Sequence, residues 1–287
     1  MASDELKING LILRDVAIKD YDKIVNILTA EKGRISASGK GIKSLKNKNM
    51  PATQLFCYSS FILKKRGNYY YISESDLIEN FFGLRGDLGT LSLASYICDV
   101  ASDITMEEND ETETLRLTLN TLYAVAKNKR DLSMVKAAFE LKAAQIAGFM
   151  PGLSICGKCG TDVDGAFSGV VYLDVMNGRL LCGKCVDEIR GDYTRSHGSP
   201  GEKRNLFDDM NAPDIDEYGT RMIYIPMSRA ILDAMRYVLY SKIEKFLSFT
   251  IDTSELKSFS VICEKYLLNH LEHGFQSLDF YKTMMYK

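Results

Sequence analysis

Histidine is scarce in this chain: 287 residues contain three, His197, His270 and His273. His197 lies far from the other two, so an imidazole general base with a neighbouring partner has little to draw on. No phosphate-binding glycine loop, no nucleophile elbow and no cluster of carboxylates at metal spacing is present. No enzymatic activity is expected. No apolar run approaches the roughly 18 residues that a membrane span needs. Met1-Ala2-Ser3-Asp4-Glu5 has neither the basic start nor the apolar stretch of a signal peptide. The chain is therefore expected in the cytoplasm, where thiols stay reduced. Acidic residues are missing from one long stretch, with none between Glu31 and Glu74.

What is present is ordinary for a globular protein: 46% apolar and 26% charged residues, enough to bury a core and to exclude a disordered chain. The length suits two or three domains. The net charge of −2 decides nothing about nucleic acid, so only the placement of charge matters.

Short alternating segments fill the first eighty residues. Asn9 to Arg14, Lys23 to Thr29, Gly33 to Gly39, Gln54 to Leu63 and Tyr69 to Ser73 read as strands, the last two joined by the turn Lys65-Arg66-Gly67-Asn68. Five short strands without a long helix suggest a small antiparallel barrel of the oligonucleotide-binding type. The acid-free stretch carries Lys32, Arg34, Lys40, Lys43, Lys46, Lys48, Lys64, Lys65 and Arg66, with Arg14 on the first strand. Much of this charge sits in a Gly/Ser/Asn/Lys loop from Lys40 to Asn49, read as flexible and suited to a phosphate backbone. Tyr58, Tyr69, Tyr70 and Tyr71 offer faces for stacked bases. Alternation places Tyr70 opposite its neighbours, so at least one of those three belongs to the core. A solvated basic loop beside half-buried tyrosines is the plainer alternative.

Helical spacing is expected from Ser75 onward: Leu77, Phe81, Phe82 and Leu84 lead into Leu88 to Val100, followed by helices over Thr112 to Lys127 and Leu132 to Ala147. The acidic run from Asp99 to Glu113 reads as a solvated helix end and loop. Gly191 to Gly219 reads as a long mobile loop. Beyond Met227, Ile231, Met235, Val238, Leu239 and Ile243 suggest one helix and Leu256 to His270 the last.

The seven cysteines divide sharply. Cys57, Cys98 and Cys263 lie alone among apolar residues and read as buried small hydrophobes. Cys156-Gly157-Lys158-Cys159 and Cys182-Gly183-Lys184-Cys185 are two CxxC pairs, each offering two thiolates from one tight turn. Val170 to Leu173 and Arg179 to Leu181 read as strands around an Asn177-Gly178 turn, which returns the second pair to the first. This knuckle, hairpin, knuckle order is that of a zinc ribbon. Two disulfides, a redox pair and an iron–sulfur cluster are the rivals. Reducing conditions, the presence of a second pair and the paired knuckles each favour one tetrahedral zinc. Four thiolates close the coordination sphere, so the ion's role is structural, and His197 has no place in it.

Several pieces in order resemble the RecO family along nearly the whole chain. They are Asn9 to Arg14, Tyr21, Thr29-Ala30-Glu31-Lys32-Gly33 and Lys40-Gly41. Next come Phe139-Glu140-Leu141-Lys142 and Gly148-Phe149-Met150-Pro151 leading into Cys156 to Cys159. Met227-Ser228, Leu247-Ser248-Phe249, His270-Leu271 and Ser277-Leu278-Asp279-Phe280 complete the set. The resemblance implies an α+β multidomain protein: an N-terminal OB-fold β-barrel, then an all-α domain with a four-cysteine zinc-ribbon module inserted. Its expected divisions are 1–80 for the DNA-binding barrel, 81–150 and 226–287 for the helical domain, and 151–225 for the zinc module with its loop. It also implies a DNA repair mediator of the bacterial nucleoid. Such a protein binds single- and double-stranded DNA, anneals complementary strands, joins RecR, and helps load RecA onto DNA coated by single-strand-binding protein (SSB), with RecF as a further partner. The family also docks the acidic, Phe-ended tail of SSB. The helix carrying Lys136, Phe139 and Lys142 is the candidate place, with Phe139 as plain core the alternative. Read without the resemblance, the residues also fit a zinc-ribbon module of the transcription or translation machinery that binds RNA or protein.

Overall fold

A computed structural model describes residues 5–18, 20–164, 170–197, 214–215 and 221–285. Two compact units are present, residues 1–139 with 274–287, and residues 140–273.

Five strands of the first unit close a barrel: β1 (Glu5–Ala17), β2 (Lys23–Thr29), β3 (Arg34–Gly39), β4 (Tyr58–Arg66) and β5 (Tyr69–Glu79), in the order β1-β2-β3-β5-β4. Only β3 and β5 pair in parallel. Period-two alternation turns Ile12, Val25, Ile27, Ile35, Ala37, Phe61 and Leu63 into the barrel core. Tyr70 packs on that core while Tyr69 and Tyr71 are exposed, as alternation requires. The fifth strand runs on to Glu79 where the sequence pattern reads as helical from Ser75. Its backbone pairs with the long β4, Ser59 with Leu77 and Phe61 with Ser75, so ladder hydrogen bonds override the local pattern around Leu77.

The segment from Lys40 to Asn49 is a built turn region, which corrects the expectation of a flexible loop. Ile42 is buried, and the Gly41 amide donates to Asp22 Oδ1 at 2.7 Å. Asn49 bridges to β5, its amide nitrogen Nδ2 donating to Ser73 O and its Oδ1 accepting from the Ser75 amide.

The same unit carries α1 (Leu88–Ile104), α2 (Thr112–Lys127) and, at its C-terminal return, α7 (Gln276–Met285), the last of which the sequence pattern does not mark. Asp87 caps α1 by accepting from the Thr90 amide at 2.9 Å. The turn between β2 and β3 is sewn to the segment between α1 and α2: Arg34 N donates to Met106 O, and Glu108 N to Lys32 O. Gly33 makes this approach feasible. Its φ is +59, and a Cβ there would stand 2.0 Å from Met106 O.

α3 (Leu132–Ile146) leads into the second unit, whose sheet has the order β11-β7-β8-β6, from β6 (Gly152–Cys156), β7 (Val171–Asp174), β8 (Arg179–Cys182) and β11 (Tyr224–Met227). Strands β9 (Asp214–Ile215) and β10 (Arg221–Met222) form a separate short pair. Helix α4 (Gly183–His197) occupies the start of the expected long loop, so Gly191 to His197 is helical; residues 198–213 and 216–220 lie outside the described residues. Helices α5 (Arg229–Tyr240) and α6 (Thr253–Leu271) complete the unit. Ile243 falls beyond the end of α5, buried in the turns that follow. Ser228 caps α5 by accepting from the Ile231 amide.

His270 is a half-buried contact of this unit. Its ring stacks on Phe149 at 5.0 Å and meets Tyr266 edgewise at 4.5 Å, and its Nε2 is buried without a hydrogen-bond partner. Burial lowers its pKa below the ordinary 6.5, partly opposed by a hydrogen bond with the Val175 backbone. The unfolded chain therefore binds this proton more readily than the folded one. Stability present above pH 6.5 is lost as pH falls through the lowered folded value. Urea unfolding of the wild type should show this loss between pH 7.5 and 5.5. In His270→Gln that part of the pH dependence should vanish; an unchanged profile would refute the assignment.

Candidate metal centre and nucleic-acid interface

The sulfurs of Cys156, Cys159, Cys182 and Cys185 lie within 4.8 Å of one another. Cys159 Sγ and Cys182 Sγ are 3.8 Å apart. A tetrahedron with metal–sulfur bonds of about 2.3 Å has edges of about 3.8 Å. The first pair is a closed turn at the end of β6, in which the Gly160 amide donates to Cys156 O at 2.8 Å, and Gly157 N is tied to Leu180 O on β8. The second pair departs from a ribbon knuckle: Cys182 ends β8, while Cys185 sits in the opening turn of α4. A helix N-terminus favours thiolate. The thiols differ in their surroundings. Hydrogen bonding to Thr161 brings exposed Cys159 down to about 6. Burial pushes Cys156 up, but the amides of Cys159, Cys182 and Lys158 outweigh it and leave the thiol lowered. Burial raises Cys182 and Cys185. A divalent cation is what allows four clustered thiols to ionise together. The cluster is compatible with a metal site.

Two supporting residues escaped the sequence reading. Thr161 places its Oγ1 3.2 Å from Cys159 Sγ. Asp174 is fully buried at the end of β7. It accepts from Arg179 Nε at 3.0 Å and Asn177 Nδ2 at 2.8 Å, and it shapes the turn that brings β8 back to the cysteines. A signal for it was present in the run Asp174 to Arg179, where an acid precedes an Asn-Gly turn and a cation follows. Asp174→Ala should leave the guanidinium and amide unpaired and destabilise this unit by about 3 kcal/mol, measured by urea unfolding. A loss below about 0.5 kcal/mol would show that the buried carboxylate does not organise the turn.

The ten basic residues named from the sequence do not form one uniform surface. Lys32 pairs with Glu108 at 3.0 Å, which raises the lysine pKa and lowers that of the glutamate. Lys48 pairs with Glu74 at 3.0 Å and Lys64 with Glu5 at 3.3 Å. Arg34 donates to Ser102 O and Oγ. Lys43 is exposed in the 40–49 turns. Arg14, Lys40, Lys46, Lys65 and Arg66 are exposed and have no ion pair among the described residues. Lys65 lies 5.4 Å from the Tyr70 ring centroid and Arg66 5.7 Å from that of Tyr71. Tyr58 is half-buried near the far end of β4.

Lys136, Phe139 and Lys142 are all buried. Lys142 Nζ donates to Leu239 O at 2.8 Å and Ser241 O at 2.9 Å. An exposed apolar slot rimmed by these cations is thus corrected: Phe139 is core, and the lysine aliphatic stems are packed inside.

Among the described residues, no helix is long and apolar enough to cross a membrane. Residues 1–81 match the family description "Recombination protein O N terminal" and residues 85–192 match "Recombination protein O C terminal". A DNA repair protein RecO of Acetivibrio thermocellus is 28% identical over 279 residues, covering 97% of each chain. One from Symbiobacterium thermophilum is 31% identical over 201 residues, 70% of this chain and 79% of the relative. One from Clostridium acetobutylicum is 30% identical over 161 residues, 56% of this chain and 65% of the relative.

Proposed function

The chain belongs to the RecO family of DNA repair proteins, and on that premise we propose that it is a non-catalytic recombination mediator whose barrel binds single- and double-stranded DNA. The carrying observation is the set of exposed cations on the barrel and its adjoining turns that have no ion pair among the described residues: Arg14, Lys40, Lys46, Lys65 and Arg66. Phosphate attraction of this kind is indifferent to sequence and lets two strands be held without reading either. Annealing of complementary strands follows from that indifference. RecR, RecA-loading on SSB-coated DNA, the SSB tail and RecF are the partners this reading carries. The burial of Lys136, Phe139 and Lys142 gives no support to placing the tail there.

The ion held by the four cysteines is zinc in this reading. Soft thiolate donors at tetrahedral spacing suit it, and a filled sphere gives it no substrate position. Its contribution when bound is to fix β6, β8 and α4 together.

The test is annealing of complementary oligonucleotides, bare and SSB-coated, by the full chain with and without RecR. Acceleration on both is expected. No acceleration on either, with structured RNA outcompeting single-stranded DNA for binding, would overturn the mediator reading in favour of an RNA-binding module.

A further inference from the structure

Strand register singles out one face of the barrel. Val16 pairs with Ile24, Ile24 with Ser38, Ser38 with Tyr71, and Tyr71 with Lys64. One step along the strands, Arg14 pairs with Asn26 and Asn26 with Ser36. Val25, Ala37, Tyr70 and Leu63 alternate with these residues and pack in the core, so both rows lie on the outer surface. The middle is low and polar, with Ser36 Oγ 3.0 Å from Asn26 Oδ1. On one side stand Tyr71, 39% exposed, and Tyr69, 71% exposed, with the Arg66 guanidinium over the Tyr71 ring. On the other side Val16 and Ile24 are exposed, with Arg14 beside them. Further along the strands the outer surface is closed: Leu11 and Leu28 are buried and Arg34 is tied to Ser102.

We propose that this face of β1, β2, β3 and β5 holds one unpaired DNA strand, with bases on Tyr71 and Tyr69 and phosphates against Arg66 and Arg14. The inference rests on the proposed DNA binding and names the form of DNA that this surface selects. Small side chains on the floor let a sugar-phosphate chain lie close. Aromatic rings can stack only on base faces that are free, and a duplex hides those faces in its own stack. The Arg66 guanidinium lies over the Tyr71 ring, so the cation that meets the phosphate also steadies the ring. Ile24 and Val16 offer apolar contact to bases on the opposite side. The lysines of the 40–49 turns supply attraction that does not distinguish one strand from two. Selectivity for the unpaired strand therefore belongs to the tyrosines, not to the lysines.

Fluorescence anisotropy of the full chain with an oligo-dT strand and a mixed-sequence duplex tests this. The variant Tyr69→Ala/Tyr71→Ala should bind oligo-dT about tenfold more weakly and duplex within about twofold of wild type. Its salt dependence on oligo-dT should be unchanged, because no phosphate contact is removed. Tyr69→Phe/Tyr71→Phe keeps the rings and should bind as wild type. Ser36→Glu places a carboxylate on the exposed floor and should weaken oligo-dT binding independently, with an unchanged melting temperature showing that it folds. Equal weakening on single strand and duplex, or wild-type affinity for oligo-dT in either the alanine or the glutamate variant, overturns the assignment of this face. Wild-type protein that binds neither form at low salt would instead refute the proposed function.

Discussion

Cys156→Ser/Cys182→Ser is expected to abolish metal binding and destabilise the unit of residues 140–273 by on the order of 5 kcal/mol. The wild type should carry one zinc per chain by elemental analysis, and the variant none. The size of the effect follows from what the cysteines join. Cys156 ends β6, Cys182 ends β8 and Cys185 opens α4, so three elements converge where a single ion would be held. Without it, thiols that burial pushes up must stay protonated, and the sulfurs no longer have a common partner. Replacing one cysteine from each pair removes the tetrahedron outright. Far-ultraviolet circular dichroism during urea unfolding reads the loss. Retained metal together with an unchanged unfolding midpoint would remove the ion from the account.

Reversing Lys40, Lys43 and Lys46 to glutamate should weaken DNA binding on the order of a hundredfold at moderate salt, without changing the fold. These residues are exposed on turns whose backbone is anchored by Asp22, Asn47 and Asn49. Each substitution removes a phosphate contact and adds a repulsion. Three lost contacts at about 0.7 per contact make the dependence of log K on log salt shallower by about 2 on single strands. Single strand and duplex should suffer alike, which separates this variant from the tyrosine variant. Affinity within about twofold of wild type would show that the 40–49 turns do not meet DNA.

Some of this molecule can be read directly from its residues. Alternation locates the five strands because one face of each must be apolar: β2, Lys23–Thr29, matches its sequence span, and Tyr70 falls in the core as period two demands. The two CxxC pairs are legible because their chemistry needs that spacing. What escapes is decided by partners remote in sequence. The stretch from Glu31 to Glu74 has no acid within it, yet Glu5, Glu74 and Glu108 approach from either side of it to neutralise Lys64, Lys48 and Lys32. No local pattern announces those pairs. The extension of β5 to Glu79 depends on β4, and β11 is a strand because β7 lies beside it. Lys136 and Lys142 look like surface cations by type. Carbonyls at Leu239 and Ser241, about a hundred residues away, let the second of them be buried. Asp174 is illegible as a pivot for the same reason, since only folding reveals that its carboxylate has no water.

The most direct test is a salt titration of wild-type binding to oligo-dT. Exposed cations at Arg14, Lys40, Lys43, Lys46, Lys65 and Arg66, each worth about 0.7 in slope when engaged with a single-strand phosphate, predict that log K falls with log salt at a slope approaching about −4. Binding that persists unchanged across the titration, or that never appears at low salt, would contradict a barrel that holds DNA by its phosphates.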